Sequence, residues 1–341
     1  MPGELPRGTT DSETDVTLYL HDADVSSLLT LPSAVDCVDQ AFRLLSDGAA
    51  TNGTRRRTTI QETSMNLMWA AAPSLDILGI KEYLVARQDV TQGAVLTLLL
   101  HSISTGQLLA VVKADRLGQL RTAAASAVAT RALARPHSTS LAIFGCGFQA
   151  WSQALAMAAT LPALDTVHVV GRDPVRRDRF VEDLQRCLPI EVRVADAGYA
   201  AESDVVVTAT GSSEPVLDGR RVRPGAHVNA VGSNSPTKRE VDRHLLERTS
   251  LVVVDERETA AQECGDLIAN DWDQHNVVTL GDILTGRAPG RSQSEDITLF
   301  ESQGLALQDV VCGAAIYRRA VEASTGQPLT IAPEDKVRRR S

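Results

Sequence analysis

Apolar and polar positions follow three different rhythms along this chain. From Pro32 to Leu45 the apolar residues Val35, Val38, Phe42 and Leu45 recur three and four positions apart. Pro32 lies near the start and Gly48 beyond the end, which predicts an amphipathic helix. The rhythm then shortens. Thr58–Glu62, Leu67–Ala72, Gly79–Ala86, Ala94–Ser102 and Leu108–Lys113 are short apolar or alternating runs set off by turn residues, with Ser104-Thr105-Gly106 a hairpin signal. Strands that succeed one another without helices between them predict an antiparallel sheet. The third regime opens with an alanine-rich helix over Thr122–Ala134. After Pro136, Val167–Val170, Val192–Val194, Asp204–Ala209, Ala226–Val231 and Leu251–Asp255 read as buried strands separated by helical or loop segments. That alternation predicts a doubly wound parallel sheet. Leu305–Ala323 is a last helix, expected to return to the first domain, and residues 1–15 read as a polar tail. The expected fold is α/β: a Rossmann-type sheet over 123–305 interrupting a discontinuous α+β domain made of 1–122 and 306–341.

The richest segment is Leu141–Trp151, LAIFGCGFQAW. An apolar run enters Gly145-Cys146-Gly147, and a helix pattern begins at Phe148 and Gln149. In this strand–turn–helix context Gly145 permits the sharp turn and Gly147 admits a pyrophosphate to the backbone. Ala150 stands in for the third glycine and keeps the helix close to the sheet. Unpaired N–H groups at the helix start suit phosphate. The next strand runs into Gly171-Arg172-Asp173, where an arginine accommodates a ribose 2′-phosphate and an acid binds the 2′-hydroxyl. Arg172, with Arg176 and Arg177 a turn later, favours NADP over NAD; Asp173 argues the other way. Thr208-Ala209-Thr210 and Val231-Gly232-Ser233 follow strands of this sheet. Ligands sit beyond such strand ends, so both segments are expected to line the nicotinamide side.

At 341 residues the chain has room for about two domains, and a formal net charge of -9 excludes the basic excess of a nucleic-acid binder. The Arg338–Arg340 run reads as a solvated tail. No apolar run is long enough to span a bilayer, and no signal peptide is visible. Five scattered cysteines without paired spacing suggest reduced thiols and a cytoplasmic protein, with no metal site. Two basic residues stand out. Lys81 lies inside the apolar run Leu78–Leu84, where a solvated lysine is the default. Arg121 and Thr122 are read as opening the alanine-rich helix, where a cation is unfavourable unless an anion is bound. On that reading, removing Arg121 costs activity and leaves stability unchanged or slightly raised.

Together, Leu120–Ser126 (LRTAAAS), the Gly145–Ala150 turn, Pro224–Gly232 and Gly304–Asp309 (GLALQD) resemble the ornithine cyclodeaminase/mu-crystallin family. The resemblance spans roughly residues 18–323 and implies hydride exchange between a nicotinamide cofactor and the α-carbon of an amino or imino acid. It also implies a homodimer formed through the discontinuous domain. The family's carboxylate clamp maps to Lys81, to Arg121 and to one of Arg55, Arg56 and Arg57, of which Arg57 best matches an Arg-Thr strand start. The glutamate and aspartate that resemble one another among cyclodeaminases are replaced by Asn66 and Asn234. An amide has no usable proton affinity near neutral pH, so it cannot be the base that cyclodeamination needs. The resemblance therefore implies an imine reductase or amino-acid dehydrogenase acting at Lys81, Arg121, Arg57 and Asn234. The alternatives are a cyclodeaminase with a relocated base, Asp89 or Glu82, and a non-catalytic cofactor-binding protein.

Overall fold

The structure, a computed structural model, describes residues 16–86, 95–232, 234–273 and 276–329. Ser233, Asp89, the tail over 1–15 and Arg338–Arg340 lie outside them. The first half runs β1 (Thr17–Leu20), α1 (Asp22–Leu28), α2 (Leu31–Ser46), β2 (Thr51–Asn52), β3 (Arg56–Ile60), β4 (Thr63–Ala72), β5 (Ile77–Ala86), β6 (Val95–Ser102), β7 (Leu108–Lys113) and α3 (Asp115–Leu133). The predicted amphipathic helix is α2. Thr30 accepts a hydrogen bond from the Ser33 N–H at its start, and the apolar stripe Val35, Val38 and Phe42 is buried.

Strands β4 to β7 pair antiparallel as the pattern implied, but β1 pairs parallel with β7, so this sheet is mixed. Its order is β16-β1-β7-β6-β5-β4-β2, with β3 also paired to β4. Strict alternation in β4 and β5 sends Asn66, Met68, Gly79 and Lys81 inward, whereas Leu67, Trp69, Ile80 and Glu82 point to the other face.

One expectation fails here with consequences. The alanine-rich helix begins at Asp115, not at Arg121, so Arg121 sits in its second turn and its backbone N–H is inside the helical ladder. Gly118 and Gln119 do not break the helix, because both are buried against neighbouring elements. The charge–dipole argument for Arg121 has no footing, and the boundary drawn at 122/123 cuts through one continuous helix. Ala123, Ala124, Ala125, Ala127 and Ala129 are all buried, so α3 packs closely on α2 and α4 as an element shared between the two halves.

The second half runs β8 (Ser140–Phe144), α4 (Phe148–Thr160), β9 (Thr166–Val170), α5 (Pro174–Cys187), β10 (Glu191–Val194), α6 (Ala197–Ala200), β11 (Val205–Thr208), β12 (His227–Ala230), α7 (Arg243–Arg248), β13 (Leu251–Val254), α8 (Arg257–Glu263), α9 (Gly265–Ala269), β14 (Val277–Thr279), α10 (Leu280–Leu284) and β15 (Thr298–Glu301). Every pair in this sheet is parallel, in the order β10-β9-β8-β11-β12-β15-β13-β14. The order reverses between β8 and β11, which makes their carboxyl ends the crevice of a doubly wound sheet. Strand β15, four buried residues between β12 and β13, was not legible as a strand. The chain closes with α11 (Ala306–Glu322), which packs on β4 to β6, and β16 (Gln327–Leu329), which pairs with β1.

Candidate active site at the seam between the sheets

Lys81 is drawn into the interior by its place in β5. Its side chain is 2 % exposed, and its ammonium donates to Asp309 Oδ1 at 2.8 Å. Asp309 lies in the first turn of α11, where helix N–H groups favour a carboxylate. The same oxygen is 3.3 Å from Nε of Arg121, which reaches across from α3, and Arg121 Nη1 donates to Gln308 Oε1 at 3.0 Å. Burial and the two cations pull on these groups in opposite directions. Burial raises Asp309, yet Arg121 and Lys81 more than offset it and hold the carboxyl below its usual range. Burial lowers Lys81 to about 8, against the pull of Asp309 and with help from Arg121 and Arg55. Gly304, at φ +78°, makes room for the guanidinium: a Cβ there would lie within 3.0 Å of two Arg121 nitrogens.

The cluster opens onto a cavity of about 210 Å³ bordered by Arg121, Thr122, Gln149, Thr210, Gly232 and Asn234. One wall is the dinucleotide turn. Gly145, at φ +119°, would clash with the Ala209 carbonyl if it carried a Cβ, whereas a Cβ at Gly147 would meet nothing within 4 Å. No packing demand explains glycine at 147, and the space it leaves suits a pyrophosphate at the N-terminus of α4. Beside it Gln149 Oε1 is buried and has no hydrogen-bond partner among the described residues. Phe148 is exposed and Ala150 fully buried. At the end of β9, Asp173 Oδ1 caps α5 by accepting from the Val175 and Arg176 N–H groups, and exposed Arg172 makes no ion pair among the described residues. These residues fit a nicotinamide dinucleotide.

The arginine run divides. The Arg55 side chain is buried, with Nη1 2.6 Å from Glu263 and Nη2 donating to the Gln303 carbonyl, next to Gly304 and the Arg121 guanidinium. Arg57 is exposed; its Nε donates to Asn66 Oδ1 at 2.8 Å and its Nη2 to the Asn234 carbonyl at 3.1 Å. The sequence choice of Arg57 thus leads to the rim with both asparagines, and Arg55 lies deeper, toward Lys81. Glu82 faces away from the cluster. Asp309 escaped sequence reading although GLALQD was singled out; the signal was an acid beside the apolar face that opens α11. Arg55–Glu263 had no sequence signal, because its partners are 208 positions apart.

The family model for ornithine cyclodeaminase/mu-crystallin matches residues 15–324. The chain belongs to that family. The alanine dehydrogenase of Archaeoglobus fulgidus is 30% identical over 325 residues, 92% of this chain and 98% of that protein. Among solved structures, Thermococcus litoralis Delta(1)-pyrroline-2-carboxylate reductase in complex with NADH and L-proline superposes with a TM-score of 0.87 at 29% identity, covering 92% of this chain and 100% of that one. An archaeal alanine dehydrogenase dimer with bound NAD gives 0.88 at 29% identity, covering 93% and 100%. No described helix of this family member is long and apolar enough to cross a membrane, and no group of three or more metal-ligating side chains occurs among the described residues.

Proposed function

We propose that this chain is an NAD(P)-dependent oxidoreductase that reduces an α-imino acid to the amino acid, or runs the reverse dehydrogenation. The observation that carries the reading is the buried Lys81–Asp309–Arg121 cluster opening onto a cavity whose other wall is the dinucleotide turn. A nicotinamide dinucleotide, when bound, supplies or accepts the hydride. Gly145–Ala150 would hold its pyrophosphate, Arg172 and Asp173 its adenosine ribose, and Ala209 and Thr210 with Thr122, Val231 and Gly232 its nicotinamide side, whereas the Thr208 hydroxyl, expected in the same set, is buried and turned to Glu240. Ser233 belongs to the same proposal by its position in the chain. Arg121 presents its guanidinium to the cavity and grips the substrate carboxylate together with Arg57 or Arg55. Lys81, held by Asp309, keeps a proton at the buried end of the site, ready for the substrate nitrogen. Enclosure by α3 and α11 excludes water from that proton and fixes the α-carbon, an effect of several kcal/mol in comparable systems.

With Asn66 and Asn234 at the family's acidic positions and Asn66 engaged by Arg57, neither of those positions supplies the base that cyclodeamination needs. Arg172, without an ion pair among the described residues, and the capping role of Asp173 support NADP over NAD. A homodimer is supported by the outward face of the first sheet, where Trp69, Leu84 and Val95 are exposed and apolar. The test is to incubate the protein with NADPH or NADH and a panel of cyclic imino acids and 2-oxo acids plus amine, following the reduced-nicotinamide absorbance. Turnover on at least one imino acid is expected, and no oxidation with any of them would overturn the reading.

A further inference from the structure

Beneath the nicotinamide side of the crevice lies a carboxylate that the proposed chemistry does not use. Glu240 is fully buried in the loop after β12. Its Oε1 accepts the Thr210 N–H at 2.6 Å, and its Oε2 accepts the Thr208 hydroxyl at 2.9 Å and the Gly232 N–H at 2.7 Å. The donors come from the ends of two neighbouring strands, β11 and β12. Glu240 is itself anchored: Asp266 Oδ1 accepts the N–H groups of Glu240 and Val241 at 2.8 and 3.0 Å.

We propose that Glu240 is a positioning residue for the nicotinamide half of the cofactor, a role that rests on the dinucleotide reading above. Its side chain fastens the tips of β11 and β12 together, and those tips, Ala209–Thr210 and Val231–Gly232, form the floor of the cavity that Arg121 and Gln149 wall. The fastening is tight. A Cβ at Gly232 would lie 2.1 Å from the Thr210 carbonyl oxygen and 2.6 Å from the Glu240 carboxyl carbon. Three donors converging on one buried carboxylate fix Thr210 and Gly232, which lie beyond the last ladder pair, Thr208 with Ala230, and one step past the backbone bonds that hold Ala209 to Phe144 and Val231 to Thr208. A glutamine cannot replace it. One of its two terminal atoms is an NH₂ donor that would face an N–H or O–H donor, so one strand tip is released.

The geometry separates the two halves of the cofactor. The adenosine and diphosphate half meets the Gly145–Ala150 turn and Arg172, which Glu240 does not touch, whereas the nicotinamide half meets the floor that it holds. Binding of ADP and of NADH is therefore measured calorimetrically on the full chain, on Glu240→Gln and on Thr208→Val, with melting temperatures in parallel. Glu240→Gln is expected to weaken NADH by about tenfold, the consequence of one stranded buried donor. ADP affinity should stay within about twofold, and Thr208→Val, which removes one donor without stranding another, should weaken NADH by about threefold. If Glu240→Gln does not fold, Thr208→Val carries the test alone. NADH binding unchanged in the folded variants, or ADP and NADH weakened equally, overturns the proposal. A wild-type chain that binds neither of these nor NADPH overturns the dinucleotide reading itself.

Discussion

Asp309 and Glu240 are carboxylates removed entirely from solvent, one at the seam between the sheets and the other under the carboxyl edge of the parallel sheet. Their neighbours differ. Asp309 faces two cations, Lys81 and Arg121, and its carboxyl is held below the ordinary range. Glu240 accepts from the Thr208 hydroxyl and from the Thr210 and Gly232 N–H groups, and burial pushes its carboxyl up in spite of them. Nearby Asp266 rises to about 7 and Asp255 to about 6 for the same reason, with Glu301 also raised. Depth alone does not set the charge of a buried acid; the partners do. At the seam, charge is retained where a substrate carboxylate and a mobile proton have to be handled. Under the sheet, the acids serve as acceptors that shape loops.

The sharpest way to break this comparison is to remove the acid from each region. Asp309→Ala strands Lys81 and Arg121 without their counter-charge, and losing one side of a buried pair typically costs about 3–5 kcal/mol. Denaturant unfolding should show that loss, and NADH oxidation with an imino acid should fall by at least about a hundredfold. Glu240→Gln strands a donor rather than a charge, so its unfolding free energy should fall by only about 1–3 kcal/mol. Equal costs at the two sites would mean that Lys81 and Arg121 are not charged partners of Asp309.

Arg121→Ala comes next. It removes a guanidinium paired inside a helix, so activity falls by orders of magnitude and the melting temperature falls as well. A melting temperature that held or rose would restore the helix-terminus reading that Asp115 at the start of α3 contradicts.

The two regions should also titrate in opposite senses. Lys81 loses its proton at about 8, so imine reduction should decline as pH rises through that value, and the decline should move to lower pH in Asp309→Asn. A rate profile flat from pH 7 to about 9 would remove Lys81 as proton donor. In Asp266 the folded carboxyl holds its proton to about 7 against an ordinary value of 3.8. The folded state therefore binds more protons across that window, and its stability falls as pH rises from about 4 to about 7. Asp309, lowered instead, contributes stability that disappears only as pH drops below the ordinary carboxylate range. Melting curves between pH 4 and 8 should slope downward with pH, and Asp266→Asn should flatten them.

The smallest effect lies at the edge of the crevice. Arg172→Ala should weaken NADPH by about tenfold, the scale of one charge-assisted contact, with NADH and the melting temperature nearly unchanged. NADH binding already tighter than NADPH in the wild-type chain would assign the ribose site to Asp173.

Local pattern determined a good deal of this protein. The period of Val35, Val38 and Phe42 marks α2, the alternation through β4 to β7 marks a sheet of consecutive strands, and LAIFGCGFQA marks strand, turn and helix, because each signal is carried by residues adjacent in the chain. Lys81, inside an apolar run, and Arg121 stand out in the sequence itself, and the family resemblance makes both candidates for the carboxylate clamp. Tertiary structure alone decided the rest. The parallel partner of β1, the four-residue strand β15 and the start of α3 at Asp115 depend on what packs against them, not on local period. Lys81 reads as a surface residue until β5 turns it under α3 and α11, where Asp309, 228 positions away, meets it. The same holds for Arg55 with Glu263 and for the strand tips gathered by Glu240. Charge pairing acts through space over a few ångströms, and only the folded chain brings such distant residues that close.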